Sequence, residues 1–368
     1  MKITVAREPF CRALQLMQTI VGTRSTLPVL ANVLLLAEEK RLELRATDLE
    51  VSLEVGVDAQ VGKVGATTLP ARRLFGLVKE LESQEIEIAA NDKELCTVQG
   101  GGAQYKLHGI SAEEFPTHPK FKEEQQVTLP QVKLREMIRK TEYAISREES
   151  RPTLNGIFLC IQGGKLVVVA TDGRRLAMVE EEIEEGGACK AEFILPAKCV
   201  GELGRLLGSE GTAGFRISET QVEITLTQGE GHPTRIYSKL IEGNYPNFRQ
   251  VIPKESKERV SLGREELLAA LRRAEQVASD KANSVKFSFT KNNLAITINS
   301  PEVGEGRESI AINYKGPDID IAFNPAYLMD PLKALDTGEI FLEMNDGLSP
   351  GVIKCNAPFL YVIMPMRT

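Results

Sequence analysis

Core-facing side chains recur at helical spacing in three distant parts of the chain: Phe10, Ala13, Leu14 and Met17; Leu134, Met137, Ile138 and Thr141; Leu267, Leu268, Leu271 and Ala274. Steps of three and four residues put each set on one face of an amphipathic helix. Each set follows a short strand-like run, beginning near residues 3, 127 and 260. A second helix in each part is predicted after a Pro-Ala step, in TTLPARRLF (67–75), EFILPAKCV (192–200) and IAFNPAYLM (321–329). Proline suits that place because the first turn of a helix has no partner for its N–H. Leu74, Leu77, Val78 and Leu81 form the apolar stripe of the first such helix. Between helices the period changes to two, as in Lys165–Ala170 and Val222–Leu226, with Gly163-Gly164 and Asn292-Asn293 at the bends. That is hairpin chemistry and favours antiparallel sheets. Gly100-Gly101-Gly102 is read the same way, as a turn and not a phosphate cradle.

These elements repeat. Pro70, Pro196 and Pro325 stand 126 and 129 positions apart. Thr47-Asp48 and Thr171-Asp172 each follow a β-rich run, 124 positions apart, and Asn299-Ser300 occupies the third place 128 further on. The period is domain-sized, far longer than the repeat of a solenoid. The pattern predicts an α+β fold of three repeated domains, each with two helices packed on antiparallel β-sheet. Pro- and charge-rich stretches at 115–126 and 253–258 place the boundaries, giving domains at 1–122, 123–256 and 257–368.

Composition removes several function classes. Cys11, Cys96, Cys160, Cys189, Cys199 and Cys355 show no zinc or redox spacing, and His108, His118 and His232 stand apart, so no metal or cofactor is expected. No P-loop, GxSxG or post-strand GxGxxG occurs. No apolar run approaches the roughly 20 residues that span a bilayer, so a cytoplasmic protein without membrane contact is expected. The net charge of −6 repels polyanions, and any nucleic-acid contact must come from uneven charge distribution. Arg7, Arg12, Arg72, Arg73, Lys79, Lys133, Arg135, Arg139, Lys140, Lys198, Arg205, Arg264, Arg272 and Arg273 all fall on or beside the six predicted helices, whereas acidic residues gather at 180–185 and at Glu302, Glu305 and Glu308. Such cations are either an ordinary solvated face or one positive surface.

Along its whole length the chain resembles the bacterial sliding clamp family, the β subunit of DNA polymerase III. The resemblance is carried, in order, by MKITVARE at the start, TLPVLANVLL (26–35), ATDLE (46–50), TTLPAR (67–72), EFP (114–116), LNGIFL (154–159), VATDGRRLA (169–177), SKLIEGNYPNFRQVIP (238–253) and YVIMPMR (361–367). It implies a DNA clamp fold in which a head-to-tail homodimer closes into a six-domain ring around double-stranded DNA. The implied function is that of a processivity factor in DNA replication, not an enzyme. It holds the replicative polymerase on DNA without sequence readout, through Lys and Arg contacts to phosphate. The implied partners are the DNA polymerase III α subunit, the clamp loader complex, which is the component needing ATP, and other replication and repair factors.

The resemblance also implies sites. A partner-peptide pocket would comprise Leu154, Thr171, Gly173, Arg174, Arg175, Leu176, Pro246, Val251, Val362, Met364, Pro365, Met366 and Arg367. Leu, Val and Met offer an adaptable apolar surface suited to several clients. Arg174, Gln250 and Pro350 replace the His, Arg and Ser familiar in the family, which changes the rim. DNA contact is expected at Arg24, Arg72, Arg73, Arg147, Arg151 and Lys198, while Glu148, Pro152 and Thr153 replace the loop's familiar Gln and aromatic residues. The dimer contact is expected at Phe75, Leu77 and Val277 with Glu302, Glu305 and Glu308; Gln99, Gly102 and Gln104 stand where Arg is often seen, with Lys93 and Lys106 nearby. Two other classes fit the same residues. One is a peptide-binding scaffold that never encircles DNA. The other is an enzyme using Asp48 and Asp172 as paired carboxylates, against which their recurrence at equivalent turns argues.

Overall fold

The computed structural model describes residues 1–22, 27–117, 125–183, 190–229, 231–279 and 283–367. His118, Cys189 and Arg24 lie outside the described residues. Among the described residues six α-helices form where the periodicity places them: α1 (Arg7–Ile20), α2 (Ala71–Glu80), α3 (Gln131–Arg139), α4 (Ala197–Leu206), α5 (Arg264–Glu275) and α6 (Pro325–Ala334). The expected stripes are buried, except that Leu77 is half-buried. Thr141 lies just past α3, where its hydroxyl donates to the Met137 and Ile138 carbonyls and closes the helix end.

The Pro-Ala steps do not all work alike. Pro70 and Pro196 end their strands, and the helices begin at Ala71 and Ala197. In the third, Pro325 is the first helical residue and Asn324 caps it, its side-chain oxygen accepting from the Tyr327 N–H at 3.3 Å. Helix α6 also carries Pro331, which has no N–H for the Tyr327 carbonyl four residues back. The Tyr361 hydroxyl donates to that carbonyl instead, at 2.7 Å.

The hairpins follow the turn signals. Gly163 and Gly164 take φ of +61° and +74°, Gly101 takes +58° and Asn292 takes +59°. Glycine reaches this left-handed region without steric cost, and asparagine tolerates it.

Chain contacts group the protein into two units: residues Met1–Val132 with Leu207–Leu240, and Lys133–Leu206 with Ile241–Thr368. The grouping follows the backbone ladders. In the first unit a twelve-stranded sheet includes the long strand Val51–Lys63, which pairs antiparallel with Thr234–Lys239, Ile236 facing Leu53. In the second, an eight-stranded sheet joins Arg175–Glu182 to Phe359–Ile363, Leu176 facing Val362, beside a separate four-stranded sheet. Residues far apart in sequence thus share one sheet in each unit, and the central third contributes strands to both. Helices α1 and α2 pack together in the first unit, and α5 and α6 in the second.

Candidate functional site

Two turns of the same design stand at repeat-equivalent places. In the first unit the Thr47 hydroxyl accepts from the Leu49 N–H, and an Asp48 carboxylate oxygen accepts from the N–H groups of Glu50 and Val51. In the second, Thr171 accepts from Gly173, and Asp172 accepts from Arg174 and Arg175. Leu49 and Gly173 hold the same left-handed conformation, φ +77° and +86°. Both aspartates are side-chain mimics of a backbone turn, so they have the structural role that their recurrence indicates. The third repeat departs: Asn299 and Ser300 continue a strand, and the Ser300 hydroxyl bonds that of Ser279.

The two turns open onto different surfaces. Beside Thr47, a small cavity of about 120 Å³ is lined by Leu49, Pro116, Thr117, Tyr237 and others, with a Lys239–Glu50 ion pair of 2.9 Å among its lining residues. Beside Thr171 there is a larger pocket of about 470 Å³, lined by residues 150–154, Thr171, Gly173, Leu176, Pro246, Asn247, Phe248 and Val251. Its floor is core. Leu176, Phe248 and Val362 belong to one buried cluster with Phe158, Val169 and Ile194, and Phe158 stacks on Tyr245 at 4.8 Å.

Of the residues expected in a partner pocket, the structure gathers Leu154, Thr171, Gly173, Leu176, Pro246 and Val251 onto this one wall. Val362 lies in the core beneath, paired to Leu176. Met364, Pro365, Met366 and Arg367 run on from that strand, fixed where the Met364 N–H donates to the Arg174 carbonyl and the Met366 N–H to the Ala322 carbonyl. Met364 and Met366 are 43% and 38% exposed, unlike ordinary core methionines.

Arg175 is placed differently. Its guanidinium bonds Asp172 at 3.0 Å, Asp330 of α6 and the Tyr143 carbonyl, and lies over the Tyr327 ring at 4.3 Å. With all these partners it is an internal strut and not a free pocket cation. Burial raises the hydroxyl pKa values of Tyr143 and Tyr361 well above the usual phenol range, so both remain donors at neutral pH. Arg174 is exposed and lines a neighbouring polar cavity.

Sequence reasoning missed Phe248 and Asn247, which line the pocket. Phe248 sits between Pro246 and Val251 in the SKLIEGNYPNFRQVIP segment, where an apolar residue three before Val251 was the available signal. Leu348 is 82% exposed. Gly351 faces Ile363 in the strand register, and in the preceding loop Asp346 accepts from the N–H groups of Leu348 and Ser349. Gly347 lies against the Asp320 carbonyl, where a Cβ would come within 2.1 Å.

The expected DNA and dimer residues fall in both units. Arg72 and Arg73 are exposed on α2, with no carboxylate partner among the described residues. Lys198 is exposed on α4, its pKa lowered by partial desolvation. Arg147 lines the polar chamber and Arg151 the apolar pocket, 3.8 Å from Glu148. Several other helix cations are held locally: Arg12 by Glu8, Arg139 by Glu136 and Asp336, Arg205 by Glu202, and Arg273 by Glu308. Phe75, Leu77 and Val277 are half-buried, and Glu302 and Glu305 are exposed. Glu308 receives a two-pronged bond from Arg273 at 2.8 and 2.7 Å, so it is already paired within the chain.

Among the described residues no three His, Cys, Asp or Glu side chains converge as metal ligands, and no helix is long and apolar enough to cross a membrane. The described geometry is thus an exposed apolar pocket framed by backbone turns on a repeated α+β scaffold. Family models for the N-terminal, central and C-terminal domains of the DNA polymerase III beta subunit match residues 1–119, 128–247 and 249–367. The chain belongs to that family. It is 35% identical to the beta sliding clamp of Chlamydia muridarum, covering 100% of this chain and 99% of the relative, and 34% identical to that of Pseudomonas aeruginosa, covering 100% of both. Among solved structures, the DNA polymerase sliding clamp of Bacillus subtilis superposes with a TM-score of 0.94 at 28% identity, covering 100% of this chain and 99% of that one. A Pseudomonas aeruginosa sliding clamp bound to griselimycin also gives 0.94, at 33% identity and full coverage of both.

Proposed function

We propose that this protein is a DNA sliding clamp: two copies join head to tail into a ring of six domains that encircles duplex DNA and tethers the replicative polymerase. The observation that carries the reading is the match of all three family domains, in order, across the whole chain. A clamp works by linkage and not by chemistry. Sliding requires contacts indifferent to base sequence, which cations on the DNA side supply as salt-sensitive attraction to phosphate. The exposed residues Arg72, Arg73 and Lys198 suit that role. The pocket at Thr171, Leu176 and Phe248 serves clients, and the exposed Met364 and Met366, the first bonded to the Arg174 backbone, add adaptable apolar surface. The α subunit of the polymerase, the clamp loader and repair factors are its proposed occupants. We assign the domain boundaries to 122–123 and 256–257. The dimer contact is assigned to Phe75, Leu77 and Val277 with Glu302 and Glu305.

Retention on nicked circular DNA after loading, repeated once the circle has been cut, tests the ring. Retention on the circle with loss on linearisation is the expected outcome. Loss from both at moderate salt would leave a docking scaffold that does not encircle DNA.

A further inference from the structure

In each unit a strand of the central third pairs with a strand of another third: Thr234–Lys239 with Val51–Lys63 in the first unit, and Arg175–Glu182 with Phe359–Ile363 in the second. The two ladders are fastened differently. In the second unit, apolar side chains stand on both faces of the ladder. Leu176 and Met178 oppose Val362 and Leu360 on one face, and Ala177 and Val179 oppose Tyr361 and Phe359 on the other. In the first unit only one face is apolar there, with Leu53 opposite Ile236 and both buried.

The other face of the first-unit ladder is held by charge. Glu54 stands opposite Arg235 in the register and accepts from its guanidinium at 2.5 Å. Lys239 donates to Glu50 at 2.9 Å at one end, and His232 bonds Asp58 at 3.0 Å toward the other. All three acids come from the first third and all three nitrogen groups from the central third. At the places 124 positions after those acids stand Arg174, Met178 and Glu182, and the register sets Leu360 opposite Met178. Burial singles out the middle pair. The Glu50, Lys239 and Asp58 side chains are exposed, and pairs of that kind contribute little. The Glu54 side chain is only 6% exposed, and its carboxylate is matched by Arg235 and by Arg45 at 3.4 Å.

Parting the first ladder would return these pairs to water, a change that added salt favours because it screens charges that no longer have a partner. Parting the second would expose apolar side chains, which added salt does not favour. Among the described residues the first ladder is also the only strand pairing that joins the first third's strands to Gln125–Pro130, Thr212–Ile217, Gln221–Thr227 and Thr234–Lys239.

We propose that the pairing of Val51–Lys63 with Thr234–Lys239 is a salt-responsive joint, where these four central-third strands part together from the first third's sheet while the second unit's ladder stays closed. The proposal concerns the first unit alone and stands whether or not the protein closes into a ring. Ionic fastening suits a joint that must reclose in register, because a slip of one residue would carry Arg235 away from Glu54 to the opposite face.

Amide hydrogen exchange on the full chain, read by mass spectrometry at about 0.05 M and about 0.5 M sodium chloride, tests this. Exchange at residues 51–55 and 234–238 is expected to quicken by about threefold or more with salt, and exchange at 175–179 and 359–363 to change by less than about 1.5-fold. Sucrose at equal osmolality is expected to quicken neither. In the paired variant Glu54→Leu with Arg235→Leu, which replaces a buried ion pair by apolar side chains, the salt response of the first ladder is expected to fall to within about 1.5-fold. An equal response at both ladders, no response at the first, or the same quickening in sucrose overturns the proposal from the wild type alone, whether or not the variant folds. A response undiminished in the folded variant overturns it as well.

Discussion

Replacing Arg175 by Ala removes a single cation from a cluster that contains two carboxylates. Asp172 and Asp330 would keep their charges in a site where the Arg175 side chain is only 10% exposed, and the Tyr143 carbonyl would lose its donor. Removing one partner of a buried ion pair costs about 3–5 kcal/mol, because the other charge is left unmatched. Asp330 is more open than Asp172, 28% against 15% exposed, so solvent recovers part of that cost and about 3 kcal/mol is the better figure. A unit of this size moves its melting temperature by about 2–4 °C per kcal/mol, which gives a drop of about 6–12 °C. Scanning calorimetry reads it, and the transition that moves should be the one containing the eight-stranded sheet. Arg175→Lys should recover only part of the loss, since an ammonium cannot span Asp172, Asp330 and a carbonyl with one planar fork. A shift of less than 2 °C for Arg175→Ala would refute the view that this residue is an internal strut.

Three further outcomes follow from the geometry. Tyr361→Phe leaves the Tyr327 carbonyl with neither the Pro331 N–H nor a hydroxyl, and should cost about 1–3 kcal/mol in urea unfolding without changing the m-value. Gly173→Ala puts a side chain at φ +86° and a Cβ within 2.8 Å of the Arg151 guanidinium; it should weaken peptide binding by about tenfold or more while lowering stability by about 1–2 kcal/mol. Glu308 should titrate below the usual carboxylate range in an NMR pH series, because the hydrogen bond from Arg273 favours its charged form. Its folded pKa being depressed, its stabilising contribution is present above the ordinary carboxylate range and is lost as pH falls through the lowered value. Arg273→Gln should return that titration to the ordinary value.

The local chemistry of this fold is legible in the sequence. The helix stripes, the Gly and Asn turns and the self-capping aspartates depend on neighbours within a few residues, so spacing and residue type determine them. Sheet membership is not legible in that way. The pairing of Thr234–Lys239 with Val51–Lys63 joins segments about 180 residues apart, and no periodicity announces it. The same distance hid the nature of Arg175. Its position in VATDGRRLA marks it as important, but its partner Asp330 is brought in by α6 from the other end of the unit. Pro331 reads as a helix breaker, yet the helix continues because one distant hydroxyl serves its orphaned carbonyl.

The pairing of Leu176 with Val362 has a bearing on synthesis. Chains emerge from the ribosome in order and fold as their contacts become available. The turn that frames the pocket is made early, but its floor waits for a strand translated nearly 190 residues later. A nascent or prematurely ended chain therefore carries the first unit's sheet complete and the pocket unmade. The apolar cluster beneath Leu176 and Phe248 is therefore complete only once translation has passed residue 363.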